Sequence, residues 1–272
     1  AGRSVSRGVI ISGEAPVGLV QVFTHKFFGC IAIPEILRGP VFLPEASEDE
    51  KRVAHALVRQ QWPRGIVQFP RWMPELPDTP EAHSLLRQLG VRQVVTGYPT
   101  VLVDLTASTV QMRAGLDGKW RNALSQAEKS GLKVKFARGG KAVEKAVRHY
   151  DAMRRKRRFS GPSGVTATAF HQLVRRQRDL LAVTVSRGSD VLSGALFLGH
   201  GQTATYYMGW TAKAGRAVNS QNLALWRGML KLSEDGFTSL DMGGVDTWRE
   251  PGIARFKIGT GGRVHMTAGT WM

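Results

Sequence analysis

The 272-residue chain lacks the features that mark secreted, membrane-spanning and zinc-binding proteins. Its one cysteine, Cys30, excludes an internal disulfide, and in the apolar run FFGCIAIP we expect it to be a buried structural thiol. No apolar run approaches the roughly 18–20 residues of a membrane helix, and the first residues, AGRSVSRGVIISGE, contain no segment typical of a secretory signal. The bulk features therefore predict a globular protein of the cytoplasm.

Signatures of several catalytic chemistries are also missing. The seven histidines are scattered, and with a single cysteine they form no zinc-ligand spacing. Neither the serine-hydrolase pattern G-x-S-x-G nor the phosphate-binding pattern G-x-x-x-x-G-K-[ST] occurs. The residues thus predict no metal site, no nucleophile elbow and no P-loop.

Acidic residues are scarce in the second part of the chain, and this asymmetry is the first positive signal. The net charge is +17. Residues 1–108 contain 11 Lys+Arg and 10 Asp+Glu, whereas residues 109–272 contain 27 and 11. Such a distribution indicates a polyanionic partner for the second part, which can be a nucleic acid, an anionic membrane or a nucleotide-bearing substrate.

Two cationic clusters in this part are candidates for phosphate contacts. The first, MRRKRRF, places five cations at the end of a predicted helix, and a second cluster follows; the candidates are Arg154, Arg155, Lys156, Arg157, Arg158, Arg175 and Arg176, with Arg178 nearby. A solvated helix end favoured by the helix dipole is the simpler interpretation. Five adjacent cations repel one another and exceed what capping requires, so we favour anion binding.

Hydrophobic periodicity predicts an α/β (α+β) protein in two parts, residues 1–108 and 109–272. The first part alternates strands with helices at 48–61 and PEAHSLLRQLG, and includes a short buried strand at GIVQFP. The second has a helix in DGKWRNALSQAEKSG, a long helix at about 141–158, an antiparallel meander (LLAVTVS, VLSGALFL, TATYYMGW), a helix at 221–235 and the strand TSLDMGG. This order is that of GNAT acyltransferase domains, and the first part is a shorter version of it.

The segment 212–226, AKAGRAVNSQNLALW, occupies the place where a GNAT domain has its pyrophosphate loop. That loop follows Q/R-x-x-G-x-G/A, and its amides hold the pyrophosphate of CoA at a helix N-terminus. Here the residues have one glycine and a different spacing, which weakens an acetyl-CoA-dependent interpretation without excluding it. Asn219 or Ser220 is expected to cap the helix that follows.

Two further segments can carry chemistry. The stretch 241–262, DMGGVDTWREPGIARFKIGTGG, places Lys257 between glycine-rich turns, where it can bind a phosphate, stabilise an oxyanion or be a plain surface lysine. Asp241 can be a base, although a turn-capping aspartate is the simpler interpretation. Tyr206 and Tyr207 end a strand, so one is expected to face the core and the other can point into a cleft.

These segments resemble the Fem family, the FemABX-type peptidoglycan aminoacyltransferases. The resemblance covers most of the chain, through LRGPVFLP, KWRNALSQAEKSGLKV and YYMGW…NSQNLALWRGMLKLSEDGFTSLDMGGVD…GIARFKIGTGG. It implies two GNAT-like halves with mixed sheets flanked by helices, without the family's coiled-coil arm. It also implies transfer of an aminoacyl group from aminoacyl-tRNA to an amine of a peptidoglycan-precursor peptide, with no CoA, cofactor or metal.

The resemblance also suggests roles for single residues. The family's Phe-Lys pair matches Phe256-Lys257, which makes these two residues, with Tyr207, the catalytic candidates. Arg38 in the RGP turn, with Tyr206 and Arg255, is a candidate for substrate binding. One departure concerns the acidic residue that the family often has before a proline after the GIVQF strand, because this chain has Phe69-Pro70-Arg71 there.

Three functions from different classes follow from the residues and the resemblance. We favour tRNA-dependent aminoacyl transfer, with the first half on the acceptor side and the basic half binding tRNA. An acyl-CoA-dependent GNAT N-acyltransferase and a non-catalytic protein that binds RNA or a membrane surface are the alternatives. Each of these three functions is compatible with a peripheral position of the protein at the inner membrane face.

Overall fold

The computed structural model describes residues 3–157, 161–173 and 176–272. These residues pack into two compact units, one formed by Ala1–Pro99 with His265–Met272 and the other by Thr100–Val264. The boundary expected after residue 108 is placed earlier, because the strand over Pro99–Asp104 belongs to the second sheet. The C-terminal segment returns to the first unit.

The first unit contains one seven-stranded sheet and two helices. Its elements are β1 (Arg3–Ser12), β2 (Ala15–Phe27), β3 (Ile31–Leu37), β4 (Val41–Phe42), α1 (Glu48–Gln61), β5 (Arg71–Met73), α2 (Pro80–Gln88), β6 (Gln93–Val95) and β14 (Thr270–Trp271). The strand order is β1-β2-β3-β5-β14-β6, with β4 beside β2, and β3 pairs in parallel with β5. Its core includes Val22, Trp72, Leu86 and Trp271.

The two helices of this unit lie where local signals predict them. Helix α1 begins after Ser47, which forms a capping box with Glu50. Helix α2 begins after the N-cap Thr79, has Pro80 at its first position, and is followed by Gly90 at φ 74°. Both predicted helices are confirmed. They were predictable because caps and breakers act within one turn of the chain.

Two predictions for the first unit are wrong. GIVQFP is not a buried strand: Ile66 is 95% exposed, a single bridge joins Gln68 to Ala32, and β5 begins at Arg71. Cys30 is exposed rather than buried, because the run FFGC forms the turn between β2 and β3. Phe28 and Gly29 have φ values of 49° and 71° there, so these residues form a tight turn although their side chains suggested a strand.

The second unit contains another seven-stranded sheet with helices on both faces. Its elements are β7 (Pro99–Asp104), α3 (Thr109–Gly115), α4 (Gly118–Lys129), β8 (Lys133–Ala137), α5 (Gly140–Arg157), α6 (Gly164–Leu173), a 3₁₀ turn (Gln177–Asp179), β9 (Leu180–Arg187), β10 (Asp190–His200), β11 (Thr203–Thr211), α7 (Lys213–Ala217), α8 (Ser220–Glu234), β12 (Ser239–Gly244), α9 (Pro251–Ile258) and β13 (Arg263–Met266). The strand order is β13-β7-β12-β11-β10-β9-β8.

This sheet has a hydrophobic core on each face. Along β9, Leu181 and Val183 join the cluster that includes residues of α4 and α8, whereas Leu180 joins the cluster that includes residues of α5. Alternate residues of a strand point to opposite faces, so the two clusters cover the two sides. The predicted mixed α/β architecture is confirmed, and in the described part of the chain no helix is long and apolar enough to cross a membrane.

Candidate active site

A cleft of about 740 Å³ lies in the second unit beside the ends of two parallel strands. Strands β11 and β12 pair in parallel at residues 203–205 and 239–241. The pairing ends there, and the following residues of β11, from Tyr206 onward, line the cleft. Ligands of α/β sheets bind where the carboxyl ends of neighbouring strands leave such an opening, and this volume is typical of small-molecule sites. The opening is therefore the candidate site.

A turn at the end of β12 forms one side of the cleft. The Asp241 carboxylate accepts a hydrogen bond from the Gly243 amide (2.8 Å) and another from the Thr100 hydroxyl. Gly243 has φ 67°, a conformation that favours glycine. Asp241 thus holds the turn that leaves the Gly244 carbonyl beside the cleft, which agrees with the turn-capping interpretation.

Lys257 is held by that turn. Its Nζ donates to the Gly244 carbonyl oxygen at 2.6 Å, and the residue is half-buried on the cleft. Burial lowers the pKa of Lys257 below its ordinary value, while the charge of Asp241 opposes this shift. A lysine ammonium has three N–H donors, so one bond to Gly244 leaves two for a ligand.

The backbone that carries Lys257 is helical, although the sequence suggested glycine-rich turns. Pro251 occupies the first turn of α9, and the helix extends to Ile258. Phe256 anchors α9 to α4: its ring lies 5.9 Å from that of Trp120, and its carbonyl accepts a 3.0 Å bond from the indole N–H. Phe256 also lines the cleft, whereas Arg255 is exposed and does not.

Tyr206 and Tyr207 both line the cleft, and the expectation that a single one faces a core is wrong. Tyr206 packs 5.7 Å from Phe197, and its hydroxyl accepts a 2.9 Å bond from the Gln221 amide. Burial raises the pKa of Tyr206. Tyr207 packs against the opposite core because alternate residues of a strand point to opposite faces and this sheet has a core on each face. The β-bulge between Tyr206, opposite Phe197, and Met208, opposite Leu196, then turns Met208 to the same side as Tyr207.

The segment at the start of α8 differs from an open phosphate-binding loop. Residues Lys213–Ala217 form the short helix α7, and its one glycine, Gly215, is buried. A Cβ at Gly215 would collide with the Leu192 carbonyl oxygen and the Ser220 hydroxyl, so packing requires glycine there. Asn219 occupies the N-cap of α8 at φ 51°, but its side chain donates to Gln126 instead of capping the helix.

The predicted cations are distributed between several places. Arg157 lines the cleft, as does Arg216, and Arg154 pairs with Asp151 at 3.3 Å. Arg155, Lys156 and Arg176 are exposed and lie away from the cleft, Arg38 belongs to the first unit, and Arg158 and Arg175 lie outside the described residues. The described residues 153–157 therefore do not form one cluster around the site.

Some cleft residues escaped the sequence reasoning. Gln221 holds the Tyr206 hydroxyl, and Asp246 and Glu250 lie on the cleft before α9. The Asp246 carboxylate accepts bonds from the amides of Trp248 (3.0 Å) and Arg249 (2.7 Å). An aspartate that precedes a proline-initiated helix is a recognisable turn signal, and the sequence D-T-W-R-E-P contained it.

Comparison with known proteins agrees with this geometry. A family model described as an acetyltransferase (GNAT) domain matches residues 112–257, more than half of the chain. The chain belongs to this GNAT domain family. The match includes the cleft strands β11 and β12 and ends at Lys257. No curated protein matches the chain significantly.

Solved structures share the fold of this GNAT protein at low sequence identity. A structure of FemX has a TM-score of 0.81 at 14% identity, with 99% of this chain and 88% of that chain covered. The C-terminal domain of a putative lysylphosphatidylglycerol synthetase from Agrobacterium fabrum has a TM-score of 0.57 at 15% identity, with 94% and 80% covered. L-PGS from Bacillus licheniformis has a TM-score of 0.55 at 14% identity, with 97% and 83% covered. The Fem-like GNAT fold expected from the sequence is confirmed.

Proposed function

We propose that this GNAT protein is an acyltransferase that moves an aminoacyl group from aminoacyl-tRNA to an amine of a peptide, in particular a peptidoglycan precursor. The half-buried Lys257 on the cleft is the observation that carries the proposal. Its position matches the Phe-Lys pair of the Fem resemblance, and its ammonium retains donors for a reacting oxygen.

The reaction is an aminolysis of an ester. The amine nitrogen attacks the carbonyl carbon, the carbonyl oxygen becomes an oxyanion, and the bond to the ribose oxygen then breaks. The proton lost by the amine goes to that ribose oxygen, so an amide and a free tRNA hydroxyl result without ATP. Holding the two reactants together can supply about 7–11 kcal/mol, and the Lys257 ammonium would stabilise the oxyanion or the departing oxygen.

Two features favour a tRNA donor over acyl-CoA. Gly215 is packed inward between Leu192 and Ser220, so the segment before α8 does not offer an open glycine loop to a pyrophosphate. Arg157 and Arg216 add positive charge to the cleft, in a unit whose cations greatly outnumber its carboxylates. Acyl-CoA-dependent acetyl transfer is the second candidate, because the matching family model describes an acetyltransferase domain.

The first unit is proposed to contribute the acceptor side. Arg38 remains a candidate acceptor contact, although its guanidinium is already paired with Glu75 at 2.5 and 2.6 Å. Tyr206 and Tyr207 are proposed to shape the cleft through packing rather than by proton transfer, since burial raises the pKa of each. Peripheral contact with the inner membrane face belongs to the proposal as a consequence of the basic second unit.

A donor competition tests the proposed function. The protein is incubated separately with labelled aminoacyl-tRNA and labelled acetyl-CoA, each with candidate peptide amines, and the label in the peptide is measured. We expect transfer from aminoacyl-tRNA that is abolished by prior RNase treatment. Transfer from acetyl-CoA alone would replace the proposal with the second candidate, and tRNA binding without transfer would identify a non-catalytic RNA-binding protein.

A further inference from the structure

Helix α5 carries a row of cations along the side that faces solvent. It contains 18 residues, which corresponds to a length of about 27 Å. The exposed cations are Lys141, Lys145, Arg148, Arg155 and Lys156, which we call the outer row. Their spacing keeps them within about one third of the helix circumference at 3.6 residues per turn. Val143, Val147 and Tyr150 lie buried on the opposite side.

The outer row divides the cation cluster predicted from the sequence. Arg155 and Lys156 continue the row that begins at Lys141, whereas Arg157 lines the cleft at the end of the same helix. Arg154 is bonded to Asp151 and does not belong to the row. One helix thus presents charge both along its outer side and at the cleft.

Most charges of the outer row are not neutralised. Glu144 pairs with Arg148 at 3.7 Å, and over the described ranges the other four members form no ion pair. Lys141, Lys145 and Arg148 lie three or four residues apart, where like charges destabilise a helix by a few tenths of a kcal/mol per pair. The row therefore works against the stability of its own helix, which points to a role outside folding.

We propose that the outer row of α5 binds the phosphate backbone of a duplex RNA, namely the acceptor stem of the donor tRNA; this inference rests on the proposed function. A straight row of cations complements one strand of a duplex, which proteins recognise through phosphates and shape. Ala142 and Ala152 are its uncharged exposed neighbours on α5, and the half-buried ring of His149 is already stacked on Trp210, so the row offers no free aromatic ring to single-stranded bases. It also lacks the large apolar side chains that insert into a membrane surface.

The position of Arg157 gives the row a direction. A stem that lies along α5 would have one end beside Arg157, at the cleft that contains Lys257. The row would then orient the tRNA, and the cleft would receive its aminoacylated end. Binding by the row is separable from the chemistry, since none of its five members lines the cleft.

A charge-matched pair of variants tests the inference. Lys145→Gln/Lys156→Gln removes two cations from the outer row, and Lys133→Gln/Lys135→Gln removes two exposed cations from β8 as the control. Glutamine keeps a helix propensity close to that of lysine. Affinity for uncharged tRNA is measured from 50 to 200 mM salt. The outer-row variant should lower the slope of log K against log salt by about 1.4–1.8, whereas the control should keep the slope of the parent protein.

Several results would overturn the inference. An equal loss of slope in both variants would mean that RNA responds to total charge rather than to the outer row. A parent slope in the outer-row variant, with weaker binding to phosphatidylglycerol vesicles, would assign the row to a membrane. These results are independent of the donor assay, because tRNA that carries no amino acid can bind but cannot donate. If acetyl-CoA proves to be the donor, the proposed function fails, while the salt slopes still decide whether the outer row binds RNA. Circular dichroism confirms that both variants fold.

Discussion

The two units use their cations differently. In the first unit, Arg38 pairs with Glu75, and on α1 Lys51 pairs with Glu48 at 2.7 Å and Arg52 with Asp49 at 3.3 Å. The second unit also contains paired cations, such as Arg113 with Glu128. Among the described residues of the second unit, however, Arg157 and Arg216 of the cleft and four members of the outer row form no ion pair, and Lys257 donates to a neutral carbonyl.

The charge counts agree with this difference. The sequence of the first unit contains 11 basic and 9 acidic residues, and that of the second contains 27 and 12. A surplus that is not used in internal pairs raises the local potential and attracts anions. Net charge alone therefore does not locate a candidate anion-binding surface, whereas the positions of cations without an internal ion pair do.

Replacement of Lys257 should produce the largest effect. Lys257→Ala removes the ammonium beside the Gly244 carbonyl, and loss of one such stabilising donor lowers turnover by at least about tenfold and up to 10²–10³-fold. Single-turnover transfer from aminoacyl-tRNA measures the change, with the exposed Arg263→Gln as the control that keeps the parent rate. An unchanged rate in folded Lys257→Ala would contradict its catalytic assignment.

Salt should have the next largest effect, on tRNA binding. If the five cations of the outer row each contact a phosphate, raising salt from 50 to 200 mM weakens binding on the order of 10²-fold. Titrations with uncharged tRNA measure this response, and the midpoint of thermal unfolding over the same salt range shows whether the fold is constant. A flat response would place the surplus charge of the second unit outside RNA recognition.

The pH dependence of transfer should report the burial of Lys257. Because burial lowers its pKa below the ordinary value of 10.5, the ammonium is lost at a lower pH than in an exposed lysine. The ratio of the parent rate to that of Lys257→Arg should fall about tenfold per pH unit above this pKa, since arginine stays protonated. The ratio cancels the titration of the acceptor amine, and a midpoint at or above 10.5 would refute the assignment.

The same shift fixes the sign of the effect on stability. Between the lowered folded pKa of Lys257 and 10.5, the unfolded chain binds more protons at this residue than the folded chain. The free energy of unfolding therefore rises with pH in this window, as the cost of burying the charge disappears. Denaturant titrations of the parent protein and Lys257→Met should diverge there in that direction.

The smallest expected effect concerns the Arg38–Glu75 pair. The two side chains are 49% and 31% exposed, so a double-mutant cycle with Arg38→Ala and Glu75→Ala should give a coupling of about 0.2–1 kcal/mol. Lys145→Gln in the outer row is the contrasting variant, because relief of repulsion should leave stability equal or raise it by a few tenths of a kcal/mol. No coupling in the first case, or a clear loss of stability in the second, would contradict the comparison of the two units.

Much of the fold could be predicted because its signals are local. The bounds of α1 follow from Ser47 and the apolar spacing, and α4 buries Trp120, Leu124 and Ala127 as their spacing indicates. The meander β9–β11 was predicted from alternating residues and short turns, and both its antiparallel pairings are confirmed. Such elements depend on residues within a few turns of one another.

The candidate site was less predictable, because long-range packing assembles it. Lys257 was singled out through the family resemblance, but its bond to Gly244 and its burial depend on how α9 packs on α4. Gln221 and Asp246 join the cleft through the crossing of β11 to α8 and the turn after β12. The burial of Cys30 was also predicted wrongly, because its apolar run forms an exposed turn and not a buried strand.

The sequence by itself determined five of the helices (α1, α2, α4, α5 and α8), the meander, the charge asymmetry and the GNAT-like order of elements. The tertiary structure alone decided which cations face the cleft, which form the outer row and which are neutralised by carboxylates. It also decided that β14 enters the first sheet between β5 and β6, far from both in sequence. The physical reason is that periodicity and caps act within a turn or two of the chain, whereas burial and ion pairing depend on segments that meet through folding.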